Sequence, residues 1–124
     1  MAMKHLFAAL ALVASTAVFA GRPCEQEPLT PAKLERGLSL AQATAQALEA
    51  EHRTSGAEVV VLARAGQNLD KHGLRYSHLG FALRTAPGVW RVLHKLNECG
   101  SDRAALYRQG LGGFFLEDAG RDGG

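Results

Sequence analysis

The stretch Leu74–Asn97, LRYSHLGFALRTAPGVWRVLHKLN, decides the fold. Two runs, Leu74–Arg84 and Val89–Asn97, flank Ala86-Pro87-Gly88, a β-turn composition, and together they predict an antiparallel hairpin. Alternation puts Leu79, Phe81 and Leu83 on one face of the first strand and Tyr76, His78, Gly80 and Ala82 on the other. On the second strand Trp90, Val92 and Leu96 make the apolar face together with His94, while Arg91, Leu93, Lys95 and Asn97 point the opposite way. If the two apolar faces share the core, an odd-numbered residue pairs with an even-numbered one, and His78 comes onto the face of Asn97, roughly across from it. A three-residue loop reverses the parity: His94 becomes the partner and Asn97 is turned away. In either register His78 is the better placed base.

Upstream, Ala57–Arg64 (AEVVVLAR) is short and rich in β-branched residues, which predicts a buried strand, and Gly66–Gly73 reads as a loop. Further back, Thr30 and Pro31 open a helix as N-cap and first-turn residue. Leu34, Leu38, Ala41, Ala45 and Leu48 then recur at helical steps and draw one apolar stripe, a core face, before a stop at Gly56. Downstream, Ser101 as N-cap with Leu106 and Tyr107 as packing residues predicts a short helix over Ser101–Gln109. From Gly110 onward glycine is frequent, and flexibility is expected beyond the single apolar patch Phe114-Phe115-Leu116. The expected fold class is α+β: an N-terminal helix packed on a small antiparallel sheet of about three strands, with a short C-terminal helix, all within one domain over residues 30–118.

The ends of the chain carry other information. Lys4 and His5 precede the apolar run Leu6–Ala14, and Val18-Phe19-Ala20 closes in a small-x-small pattern, so residues 1–20 read as a signal peptide cleaved after Ala20. The apolar stretch falls short of the roughly 20 residues a spanning helix needs, so membrane contact is expected only through this leader. Residues 21–29 read as an extended lead-in and 119–124 as a flexible tail. A periplasmic or secreted location follows, and an oxidising compartment favours pairing of Cys24 with Cys99. Such a bridge closes a long loop, worth ~4 kcal/mol in the chain-entropy treatment.

Composition excludes several functions. With 14 Lys and Arg against 12 Asp and Glu, a net charge of +2 over 124 residues is far from the basic excess of a nucleic-acid-binding surface. Two cysteines are too few for a cysteine-only zinc site, and the five histidines make no HExxH or comparable metal spacing. Gly110-Leu111-Gly112-Gly113 follows no predicted strand and so fails the context test for a nucleotide loop. No cofactor is expected. The chemistry left is that of a histidine whose second ring nitrogen is held by a polar neighbour, the arrangement cysteine hydrolases use to take a thiol proton.

Arg64-Ala65-Gly66-Gln67-Asn68-Leu69, Tyr76-Ser77-His78-Leu79-Gly80-Phe81, Trp90–Asn97 and Cys99 resemble a family of exported bacterial proteins filed as domain of unknown function 2145, from about Cys24 to Asp118. The Ser-His-x-Gly strand and its successor are also similar to permuted papain-like amidases and peptidases of the cell-wall hydrolase superfamily. That resemblance implies His78 as catalytic base, His94 or Asn97 as the residue that orients it, and a peptide or amide of the cell envelope as substrate. In permuted members the nucleophilic cysteine follows the histidine at the start of a later helix. Here Cys99 alone has that order, at a short separation, and the relatives continue beyond the end of this chain, which implies an incomplete papain-like fold. The readings left open are a thiol amidase or peptidase with Cys99 as nucleophile or with the nucleophile missing, a non-catalytic envelope binding domain, and a truncated product of a longer family member.

Overall fold

A computed structural model describes residue 24, residues 28–66 and residues 69–117. The expected leader, most of the lead-in and the tail lie outside the described residues. Helix α1 spans Pro31–Ser55: the Thr30 hydroxyl accepts from the Lys33 N–H at 3.2 Å, and Gly56, at φ 73°, ends the helix by donating its N–H to the His52 carbonyl. A left-handed residue at that point suits glycine, which has no Cβ to clash. Of the expected stripe, Ala41 and Leu48 are buried and Ala45 half-buried, but Leu34 and Leu38 remain 39% and 49% exposed. The buried residue of the first turns is Gly37, where a Cβ would run into the Leu116 side chain. The helix start thus uses its lack of a side chain, and not its leucines, to admit a neighbour.

Four strands follow, where about three were expected: β1 Val59–Arg64, β2 His78–Thr85, β3 Val89–Asn97 and β4 Ala104–Gly110. A 3-10 turn at Asp70–His72 lies in the loop between β1 and β2. The sheet is an antiparallel meander in the order β1-β2-β3-β4. A short helix α2, Leu111–Leu116, completes the described fold.

The β2–β3 loop sets the parity of the hairpin. Thr85 pairs with Val89 across a three-residue loop, and Gly88 takes φ 96° there, with its missing Cβ directed at the Arg84 guanidinium. Even residues therefore pair with even ones, as in Ala82 with Val92. The expectation that Leu79, Phe81 and Leu83 line the core is overturned: Leu79 and Phe81 are 59% and 49% exposed, while Gly80 and Ala82 are buried. The inner face of β2 is built from small residues, which lets the large ones of β3, Trp90 and Val92, fill the space beneath α1. Trp90 also needs a partner for its indole N–H, and Glu49 of α1 supplies it.

The expected helix over Ser101–Gln109 is instead strand β4. Its residues favour helix on propensity, but the exposed donors and acceptors of β3 offer a complete ladder from Arg91 with Gly110 to Asn97 with Ala104. Ser101 caps a turn: its hydroxyl donates to the Glu98 carbonyl and accepts from the Arg103 N–H, beside Gly100 at φ 64°. The glycine-rich run after it forms α2 as far as Leu116, and the tail where flexibility is expected lies outside the described residues. Leu111 and Phe114 are buried, and Phe114 is fully so. The core lies between α1, α2 and one face of the sheet: Ala41, Leu48, Ala82, Trp90, Val92, Leu111 and Phe114, flanked by Val60, Leu62 and Phe115.

Candidate functional site

His78 opens β2 and His94 sits on β3, on the same inner face. His78 Nε2 and His94 Nδ1 are 2.8 Å apart, and His94 Nε2 lies 2.9 Å from Gln109 Oε1. With the Gln109 carbonyl as acceptor, His94 Nε2–H is the donor, so His94 Nδ1 carries a lone pair. That lone pair accepts from His78 Nε2–H, which leaves the basic lone pair of His78 on Nδ1. One amide thus fixes the tautomer of two imidazoles in series. His94 is 3% exposed and His78 half-buried, so the chain of bonds runs from the interior outward.

The surroundings hold this chain in place. Phe114 meets the His94 ring edge-on at 5.2 Å and lies 6.0 Å from that of His78. Arg64, 4% exposed and paired with His78 in the β1–β2 register, places its guanidinium 4.6 Å from the Phe114 ring centroid and donates from Nη1 to the Phe114 carbonyl. A Cβ on Gly80 would lie 2.9 Å from His94 Cβ and 2.8 Å from Val92 Cγ1. Any larger residue there would fill the space through which His78 reaches His94. The hydroxyl of Ser77 accepts from the buried Gly66 N–H at 2.7 Å, and the Ser77 N–H donates to the Arg64 carbonyl. In the Ser-His-x-Gly stretch, then, the serine locks the strand entry, the histidine reaches across, and the glycine clears its way. Outward, His78 borders an open cleft of about 370 Å³ with Ala63, Tyr76, Ser77, Leu79 and Lys95.

Of the two expected orienting residues, the structure brings His94 to His78. Asn97 is exposed, and by strand alternation it belongs to the opposite face of β3, because the three-residue loop removed the register that favoured it. Cys99 is bonded to Cys24 as a disulfide, and no free cysteine occurs among the described residues. The helix expected after Cys99, over Ser101–Gln109, is strand β4, so Cys99 does not stand at a helix start. Gln109 and Arg64 were not foreseen. Gln109 was hidden in the expected helix. Arg64 ends the uniformly apolar run Val59–Ala63, whose inward positions alternate only in the structure, so the sequence carried no signal that it points inward.

A second polar cluster joins α1 to the hairpin. Glu49 Oε1 accepts from Arg84 Nε at 2.9 Å and from Trp90 Nε1 at 2.6 Å. The Arg84 hydrogen bond, then that from Trp90, holds the Glu49 carboxyl below its ordinary range. This cluster is structural: it ties the helix to the hairpin at the end of β2 remote from His78.

The chain belongs to a bacterial family described as "uncharacterized protein conserved in bacteria" (DUF2145), which it matches over residues 51–122. The match starts at the end of α1, later than the resemblance read from Cys24, and takes in the whole sheet, α2 and the imidazole chain. No curated protein and no solved structure matches the sequence.

Proposed function

We propose that this is an exported domain, working in the periplasm or outside the cell, that carries a papain-like amide-hydrolysing site. His78 is the general base, His94 orients it, and Gln109 orients His94. The observation that carries this reading is the bond between His78 Nε2 and His94 Nδ1 at 2.8 Å, backed by Gln109. A base for thiol chemistry needs one imidazole nitrogen fixed and the other directed at the reacting proton. The Nε2 side is fixed here, and His78 is one of the residues lining an open cleft of about 370 Å³. In the reaction, His78 takes the thiol proton, the thiolate attacks the carbonyl carbon, and the imidazolium returns the proton to the amine as the C–N bond breaks. A water deprotonated by His78 then cleaves the thioester, releasing the acid and restoring the thiol. The Cys24–Cys99 bridge supports the location, since disulfides persist in oxidising compartments.

Cys99 is the thiol we assign to this step. It follows the end of β3, at the same end of the antiparallel ladder where β2 begins with His78. A dithiol reductant must first convert the Cys24–Cys99 bridge to two thiols by thiol–disulfide exchange, leaving as its own disulfide. The same bridge favours a second reading, a non-catalytic envelope domain in which Cys99 only ties the N-terminal segment to the β3–β4 turn. Alkylation of the reduced protein with iodoacetamide across pH, with thioester hydrolysis followed in parallel, separates the two. The hydrolase reading expects a Cys99 thiolate well below the ordinary thiol pKa of about 8.5, together with turnover, both abolished in His78→Ala. Ordinary alkylation of both thiols without turnover would leave the binding domain as the answer.

A further inference from the structure

Only one face of the sheet is covered by α1 and α2. On the other, Val59, Val61, Leu79, Phe81 and Leu106 are between 49% and 69% exposed. The ladder places Val61 beside Phe81 and Ala63 beside Leu79, so the β1–β2 half of this face is continuously apolar. The β3–β4 half differs. Arg91, Lys95 and Arg108 project from it, interleaved with Leu93 and Leu106 through the pairs Leu93–Arg108 and Lys95–Leu106. No Asp or Glu occupies an outward position on any of the four strands, and among the described residues no carboxylate forms an ion pair with these three cations. Isolated exposed apolar residues are ordinary, but a contiguous patch of this kind marks a contact surface.

We propose that this face docks an amphipathic helix of an acidic protein partner, with its apolar stripe on β1–β2 and its Glu and Asp flank on Arg91, Lys95 and Arg108. The dimensions fit. Four strands at ~4.8 Å spacing and six or so residues in length give a face about 15 Å by about 20 Å. A helix about 10 Å across and three to four turns long covers it. The one-sided charge selects the partner. A second copy docked face to face about a twofold axis sets the three cations either against the same three cations or on the partner's apolar β1–β2 half, and in neither case against a carboxylate. A lipid surface would need the apolar tips to stand proud of the charges, whereas Arg and Lys reach further from a sheet than Val or Leu. The inference does not depend on the imidazole chain.

The test uses the full purified chain and a fluorescent 15-residue helical peptide with a leucine stripe and a glutamate polar face. Its controls are the same peptide with lysine for glutamate, phosphatidylglycerol vesicles, and sedimentation of the protein alone. The glutamate peptide should bind at least tenfold more tightly than the lysine peptide, with amide shifts confined to Val61, Phe81 and their neighbours. The triple variant Arg91→Glu, Lys95→Glu, Arg108→Glu should reverse that preference with an unchanged melting curve, and Phe81→Ser should weaken both peptides. Equal binding of the two peptides overturns the proposal. Vesicle binding without peptide binding overturns it in favour of a membrane, and self-association without peptide binding in favour of a second copy.

Discussion

Phe114 and Phe81 are the same side chain used in opposite ways. Phe114 is fully buried on the inner side of the sheet, where it fills the space under α1 and packs its ring on His94, while Phe81 stands 49% exposed on the outer side. The inner face also buries what a core normally excludes, an arginine and a histidine, and the outer face shows solvent what a core normally hides. Hydrophobicity residue by residue therefore does not tell which side of this sheet is the interior. Partner geometry does: His94 bonds to His78 and Gln109, and Arg64 donates to the Phe114 carbonyl, which offsets part of the cost of burying them.

Truncating each phenylalanine gives the sharpest contrast. Phe114→Ala should lower stability by about 3–5 kcal/mol, the range for emptying a packed aromatic site, and Phe81→Ala should stay within about 0.5 kcal/mol of the parent in urea unfolding. Comparable losses from both would mean that the outer face is covered in the isolated protein. Next in size is Gly80→Ala, whose methyl group meets His94 and Val92; overpacking of this kind costs about 1–3 kcal/mol. It should also disturb the imidazole resonances of both histidines, whereas Leu79→Ala, one position along and outward, should leave them unchanged.

The smallest effect is the pH dependence carried by Glu49. Its carboxyl titrates below the unfolded-state value because Arg84 and Trp90 hydrogen-bond the charged form. The contribution is therefore complete above the unfolded carboxylate pKa and is lost as pH falls through the lowered folded value. Glu49→Gln should flatten the acid limb of a stability–pH curve as pH falls below the ordinary carboxylate range. It should leave the curve near neutrality parallel to the parent's. An unchanged acid limb would show that Arg84 does not engage this carboxylate in solution.

The legibility of the sequence followed the same division. Helix α1 could be read to its caps because Thr30, Pro31 and Gly56 act locally. The hairpin was legible as a hairpin, but its parity rested on whether Ala86–Gly88 served as a three-residue loop, a property of turn geometry and not of the strands. That choice decided between His94 and Asn97. Strand β4 was hidden because Ala-Ala-Leu-Tyr-Arg-Gln prefers helix in isolation and becomes a strand only beside β3, so Gln109 could not be found without the ladder. The burial of Phe114 was masked by the glycines around it, although the glycine that lets α2 pack close is Gly37 of α1. His78 stood out by residue type, but alternation set it on the face away from the expected core, and the exposure of Leu79 and Phe81 turns that face inward.

The account turns on the direction of two hydrogen bonds through His94. A long-range proton–nitrogen correlation spectrum of the imidazoles near neutral pH reads it directly. Both His78 and His94 should carry their proton on Nε2, and Gln109→Leu should release both tautomers together. A proton on Nδ1 of His78, or a His78 signal indifferent to Gln109→Leu, would contradict it.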